Sequence, residues 1–344
     1  MTERPDVTAV ERCAASEPSA ARSAWAEDLS RAIRDPRELL SRLGLPPDLA
    51  SSDAHRDFRQ IVPESFVARM VPGDADDPLL RQVLPIKEET AVADGFVSDP
   101  VDDLAHRPVD GVVHKYPGRV LLIASGSCAI NCRYCFRRHY PYGEEPRTLS
   151  QWQAAADYIA GDETIREVIL SGGDPLLLTD RRLAELIDLV THAPHVRRLR
   201  IHSRLPIVLP ARVTDSLLRV LRESGVQPWL VVHANHPAEI ADDCVDALAR
   251  SVAGGLPVLN QSVLLRGVND CAETLAELSQ RLIDVGVQPY YLNQLDRVRG
   301  AAHFAVCDAV AKNLVENLRR RLPGYAVPTL VRDISGEVCK TVLR

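Results

Sequence analysis

Three cysteines stand within eight residues in CAINCRYCFRR, at Cys128, Cys132 and Cys135, and Arg137 and Arg138 follow after Phe136. Thiolates crowded in this way ligate soft metals, and in a reducing compartment such a cluster holds metal more readily than it pairs. Three arrangements compete for it. A structural zinc needs a fourth donor, which His139 could supply, but such sites commonly use two short cysteine pairs separated along the chain. A thioredoxin-like pair, Cys132-x-x-Cys135, would leave Cys128 surplus. An iron–sulfur cube is closed by four thiolates. Three would leave one iron free for an external ligand, which makes the cluster a reagent. The other cysteines, Cys13, Cys244, Cys271, Cys307 and Cys339, are scattered and read as buried or incidental thiols.

Other reactive groups are few. Of the 41 basic residues only Lys87, Lys115, Lys312 and Lys340 are lysines, so chemistry that needs an amine has a short list. Lys312 sits in the helical pattern AVAKNLVENLRRR and reads as a solvated helix residue; Lys87 lies in PIKEET. Lys115 precedes an apolar run, and Lys340 follows SGEVC in a glycine-containing tail that could fold back over a site. The residues alone leave Lys115 and Lys340 open. In LSGGDPLLL, Gly172 and Gly173 allow close backbone approach, with Asp174 beside them.

The elements that must position these groups form a regular rhythm. Apolar runs of strand length occur at 119–125, 168–170, 199–203, 228–234, 259–265 and 288–295, with helical patterns between and after them. Strands apolar on both faces and separated by helices indicate parallel βα units. Polar groups follow nearly every strand: the cysteine loop, SGGDP, HSR, HANH, RGVND and NQLD. A doubly wound sheet gathers its site at one switch point, whereas a barrel gathers it around the whole C-terminal mouth. The expected fold is α/β, a partial (β/α)6 TIM-like barrel with a mainly helical N-terminal extension. Its expected parts are a helical and irregular extension over 1–105, the barrel over 106–322 and a C-terminal segment over 323–344. Within the extension, WAEDLSRAIRDPRELLSRLG (25–44) has helical spacing interrupted at Pro36, and 71–103 reads as an extended acidic connection.

Composition narrows the class. The chain is 46% apolar with a net charge of -6, and it has neither a membrane-length apolar run nor a signal-like N-terminus. A cytoplasmic protein with no membrane association is expected, and the mild acidity argues against a broad nucleic-acid surface.

CAINCRYC resembles the CxxxCxxC signature of the radical S-adenosylmethionine (radical SAM) enzymes, with Tyr134 before the third cysteine. The resemblance implies a [4Fe-4S] cluster on Cys128, Cys132 and Cys135 whose open iron binds S-adenosyl-L-methionine and releases a 5'-deoxyadenosyl radical. It also implies that Gly172, Gly173 and Asp174 form the turn that meets the methionine amino group. Further stretches are similar to the lysine 2,3-aminomutases over roughly residues 60–340: HKYPGRVLL, HSRLP, HANHP, SVLLRGVND, LDRVRGAAHF and GYAVPTLVRD. That family carries pyridoxal 5'-phosphate as well, and the spacing after YAVP-x-x-x-x-D puts its cofactor lysine at Lys340. The family's usual glycine run is reduced here to Gly336-Glu-Val-Cys339. By the same resemblance Lys115 and Arg119 serve the phosphate, Arg137 clamps the substrate carboxylate, and Asp270 and Asp296 hold the far ammonium of L-lysine.

Two subgroups share this chemistry. One makes β-lysine as a free metabolite, and its members are longer. A chain ending at Arg344, four residues after Lys340, resembles the subgroup that makes (R)-β-lysine from (S)-α-lysine for translation elongation factor P, where a ligase similar to lysyl-tRNA synthetase attaches it. The expected partners are therefore L-lysine, a reducing system and, functionally, that factor and its ligase, with the chain a monomer or small oligomer. A free-lysine metabolic enzyme is the alternative. A zinc-binding structural or nucleic-acid module, with Cys128, Cys132, Cys135 and His139 on the metal, is the remote one.

Overall fold

The computed structural model describes residues 24–344; Cys13 lies outside them. The strands are β1 (Val112–Tyr116), β2 (Arg119–Ser125), β3 (Glu167–Gly172), β4 (Arg198–Ser203), β5 (Gln227–Val232), β6 (Val258–Leu264), β7 (Gln288–Gln294), β8 (Thr329–Arg332) and β9 (Thr341–Val342). They form one sheet in which spatial order equals chain order. From β2 to β8 every pairing is parallel, and β1 and β9 pair antiparallel at the two ends. A doubly wound sheet reverses its strand order at a switch point. The unbroken order here is that of a partial barrel, with six βα units followed by β8.

The helices after β2–β7 are α3 (Leu149–Gly161), α4 (Asp180–Thr191), α5 (Asp215–Arg222), α6 (Asp242–Ala253), α7 (Ala272–Asp284) and α8 (Asp308–Arg321). Three of the six start at a threonine cap. Thr148, Thr179 and Thr214 accept a first-turn N–H at the starts of α3, α4 and α5. Leu183, Leu186, Ile187 and Val190 of α4 are buried, as helical spacing requires, and join one large core with Leu170, Leu199 and Leu230 of the strands.

The extension departs from its sequence reading in two places. Pro36 does not merely interrupt a helix; it opens a second one. The pattern splits into α1 (Ala24–Ser30) and α2 (Pro36–Arg42), with Asp35 as cap and Pro36 in the first turn. The acidic stretch 71–103 is not simply an extended connection. Asp77 caps a helical turn over Pro78–Arg81, and Leu79, Leu80, Val83 and Leu84 sink into the main core. The apolar residues are few among the acids, yet their spacing lets all four face inward. Lys115 lies inside β1 and not before the first strand, and residues 329–332 extend the sheet. No helix among the described residues is long and apolar enough to cross a membrane.

Candidate active site

Because β2–β8 run parallel, their C-terminal ends share one edge, and the residues just beyond them line one mouth. These are the cysteine loop after β2, Asp174 after β3, Arg204 after β4, His233 after β5, Asp296 after β7 and Asp333 after β8.

The Gly-Gly turn fastens the cysteine loop. Gly173 N donates to Ser125 O at 2.6 Å and Asp174 N to Ser127 O at 2.7 Å. Gly172 has φ +114°, and a Cβ on Gly173 would stand 2.1 Å from Ser127 O, so only glycine permits this approach. Asp174 ties strand ends together: it accepts from Ser203 Oγ (2.7 Å), Arg204 N (2.8 Å), Leu205 N (3.2 Å) and Leu176 N (3.0 Å). Burial still pushes its carboxyl up to about 6 against those bonds.

The cysteine loop is also held from below. Arg204 Nη1 donates to Cys132 Sγ at 2.6 Å, while Arg204 Nη2 donates to Gln82 Oε1 (2.7 Å) and Glu239 Oε2 (3.0 Å). Asn235 Nδ2 donates to Gln82 Oε1 and to the Tyr134 hydroxyl, and His233 stacks on Tyr134 at 5.8 Å. On the other side, Arg133 and Arg138 reach Glu89 of the extension.

The donor set suits a metal cluster. Burial, then Cys135, pushes the Cys128 thiol well up; burial, then Cys132, takes Cys135 to about 11. Three thiolates in this enclosure need a cationic core to stay ionised together. Among the described residues no three His, Cys, Asp or Glu side chains converge as ligands of a single ion would, and His139 Nε2 instead meets Arg299 O at 3.1 Å. A cube distributes its thiolates over separate irons and needs no such convergence.

At the sheet's seam, Lys340 Nζ lies 3.0 Å from Asp333 Oδ2, and Tyr116 donates to Asp333 Oδ1 at 2.9 Å. Asp296 accepts no side-chain hydrogen bond among the described residues. Burial pushes its carboxyl up to about 6; Lys340 opposes that, Asp333 adds to it, and Lys115 and Asp103 act more weakly. Between this end and the cysteine loop stands His202. Burial, then Arg200, Arg137 and Lys340, hold its imidazole well below the usual range, and its buried Nε2 has no partner. Arg137, beside Cys135, donates from Nε to Asp103 at 2.7 Å and from Nη1 to Ser171 Oγ at 3.3 Å. Burial disfavours that cation, but Asp103, with Tyr142 and Cys135 adding to it, outweighs that and holds the guanidinium above its ordinary range.

Most of the expected site residues therefore meet: Cys128, Cys132, Cys135, Arg137, Gly172, Gly173, Asp174, Lys115, Asp296 and Lys340. Arg119 opens β2 at the end away from the cysteine loop, and reaches the seam by lying over the Tyr116 ring at 4.7 Å. Asp270 is not brought to Asp296. Its carboxylate accepts from Gly267 N at 2.9 Å within its own loop, and the acid beside Asp296 is Asp333. The signal for Asp333 was present, since it is the closing residue of YAVP-x-x-x-x-D, read as a ruler to Lys340 and not as a ligand. Asp103 and Tyr116 carried no motif. Lys115, Arg119 and Arg137, with the orphaned imidazole nitrogen of His202 and the amine of Lys340, form a donor set that fits an anionic, aldehyde-bearing cofactor such as pyridoxal phosphate.

Residues 122–279 match the Radical SAM superfamily. L-lysine 2,3-aminomutase of Escherichia coli strain K12 is 47% identical over 94% of this chain and 95% of that protein. The Haemophilus influenzae protein of the same name is 45% identical over 92% and 95%. A radical SAM methyltransferase from Sphaerobacter thermophilus gives a TM-score of 0.47 at 20% identity, covering 64% of this chain and 68% of that one.

Proposed function

We propose, from the premise that the chain belongs to the L-lysine 2,3-aminomutase family within the radical SAM superfamily, that it converts (S)-α-lysine to (R)-β-lysine. The observation that carries this reading is the single mouth shared by Lys340, Asp333 and Asp296 at one end and Arg137 and the cysteine loop at the other, with His202 between them. Lysine is an amino acid with a second cation, and this mouth offers a guanidinium for its carboxylate and two acids for its distal ammonium.

Cys128, Cys132 and Cys135 would hold a [4Fe-4S] cluster with S-adenosylmethionine on its open iron, and Lys340 would carry pyridoxal phosphate, with Lys115 and Arg119 toward the phosphate. Bound there, these groups supply a hydrogen-abstracting carbon radical and an acceptor for the migrating amino group. The chain's own residues do the rest. Arg137 binds and orients the carboxylate near the cysteine loop, and Asp296 and Asp333 fix the far end, so the carbons between are held in register. Tyr116 keeps Asp333 turned toward Lys340. The half-buried His202 and His233, held neutral chiefly by desolvation, would line the mouth without adding positive charge to it. Asp270 follows from the resemblance as a third acid, acting from the loop after β6.

The test is anaerobic reconstitution with iron, sulfide and pyridoxal phosphate, followed by L-lysine, S-adenosylmethionine and dithionite. (R)-β-lysine in the product is expected; recovery of unchanged lysine from protein with full iron and pyridoxal phosphate would overturn the reading. We assign the product to elongation factor P on the resemblance to that subgroup. Factor co-produced with its ligase should yield β-lysine on acid hydrolysis only when this chain is present. An unchanged factor alongside free β-lysine would favour the metabolic role.

A further inference from the structure

This inference rests on the reading above and assigns a residue that neither the motifs nor the resemblance names. Asp103 belongs to the N-terminal extension, just before the turn Leu104–His106. Its side chain is 3% exposed and shared between two cations: Oδ1 is 2.6 Å from Lys115 Nζ and Oδ2 is 2.7 Å from Arg137 Nε. One carboxylate thus joins the two cations to which the reading gives different anions, a phosphate and an amino-acid carboxylate.

The strap that carries Asp103 is pinned along its length. Asp99 accepts from Asp103 N and Leu104 N, each at 3.0 Å. Val97 pairs through its backbone with Arg297 O (2.9 Å) and Arg299 N (2.8 Å) beyond β7. Lys115 also donates to Val101 O. From the segment that bears Lys340, Ser335 Oγ reaches Asp102 Oδ2 at 3.0 Å. A carboxylate on a mount this well fastened is built to stay.

We propose that Asp103 is a positioning residue that aims both cations. Gripping Arg137 by Nε, with Ser171 on Nη1, leaves Nη2 without a protein acceptor among the described residues and available to a ligand carboxylate. The shared negative charge lets a lysine and an arginine stand close together, and it orders both long side chains before any ligand arrives. Binding energy that would otherwise go into ordering them is then kept for the ligand.

Asp103→Asn keeps the shape but can accept from only one of the two cations. Its KM for lysine and its half-saturating pyridoxal phosphate, read by absorbance without turnover, should both rise about 10- to 100-fold. The same variant should lose less in kcat and nothing in iron content, and Asp103→Glu should recover part of both constants. Asp99→Asn loosens the strap without touching Arg137 or Lys115, and should move the same two constants by a smaller factor. Should Asp103→Asn fail to fold, Asp99→Asn carries the test. Constants equal to the parent's in Asp103→Asn, or tighter lysine binding, would overturn the proposal; the latter would make Asp103 a competitor for Arg137. A parent chain that neither binds pyridoxal phosphate nor turns over lysine overturns the underlying reading instead.

Discussion

Replacing Glu89 by glutamine should loosen the cysteine loop from the extension that clamps it. Glu89 accepts from Arg133 Nε at 2.8 Å and Nη2 at 2.6 Å, and from Ile86 N at 3.1 Å, and its Oε2 lies 2.9 Å from Arg138 Nη2. The carboxylate is 1% exposed and both guanidinium groups 0%. Arg133 and Arg138 also stack on Phe58 at 5.0 and 4.9 Å, so neither can swing out to water without unpacking that ring. Burial already draws Arg133 below its usual range despite Glu89. The glutamine keeps the shape but turns an amide N–H toward a guanidinium, and leaves two buried cations with one amide oxygen and the Phe58, Ala54 and Arg133 carbonyls but no buried carboxylate. Breaking a buried pair in this way costs about 3–5 kcal/mol. Asp57 compensates little, since it is 43% exposed and 3.5 Å from Arg138. At roughly 2–4 °C per kcal/mol, the melting midpoint of cluster-free protein should fall by about 6–20 °C. Because Arg133 sits between Cys132 and Cys135, iron retained after anaerobic reconstitution should fall with it. Glu38→Gln, at the exposed Arg42–Glu38 pair, is the control and should change the midpoint by about 2 °C or less. Glu89→Gln melting with the parent and holding full iron would refute the reasoning.

Asp296→Asn should raise KM for lysine by a factor equivalent to about 2–5 kcal/mol, with iron content unchanged, because the distal ammonium loses its counter-charge in an enclosed site. Since burial takes the Asp296 carboxyl up to about 6, lysine affinity should be full above that pH and fall as pH drops through it. Measured from pH 8 to 5, that slope should vanish in Asp296→Asn. Asp333→Asn should raise KM as Asp296→Asn does; Asp270→Asn should do the same if the resemblance assigns it correctly, and should leave KM at the parent value if its bond to Gly267 N is its whole role. In Gly173→Ala the new Cβ would fall 2.1 Å from a backbone oxygen, so the cysteine loop must shift and reconstituted iron should be largely lost.

The βα rhythm was legible because parallel strands buried on both faces read as unbroken apolar runs, as in VLLIA and WLVV. The cysteine spacing and the Gly-Gly turn were legible for a stronger reason: their chemistry tolerates few other residues. The extension was not. Leu79, Leu80, Val83 and Leu84 are four apolar residues in an acidic stretch, and nothing local shows that they pack on a core built from residues far along the chain. The two-residue β9 and the four-residue β8 are too short to carry a period. Asp103 stands in VDDLAH, where an acid reads as solvated until the fold brings Lys115 and Arg137 to it. Asp270 and Asp296 looked equivalent in sequence because both follow strands. What separates them is long-range: Asp333 and Lys340 arrive beside only one of them.

Under the proposed function, the amine of Lys340 stands at the mouth that holds the cysteine loop and would carry the carbonyl cofactor there. The direct test is to load the cluster-containing protein with pyridoxal phosphate, reduce it with borohydride, digest it and sequence the pyridoxyl-bearing peptide by mass spectrometry. The label should fall on Lys340 and be displaced when lysine is added before reduction. A label on Lys87, Lys115 or Lys312, or no label on protein with full iron, would contradict the account.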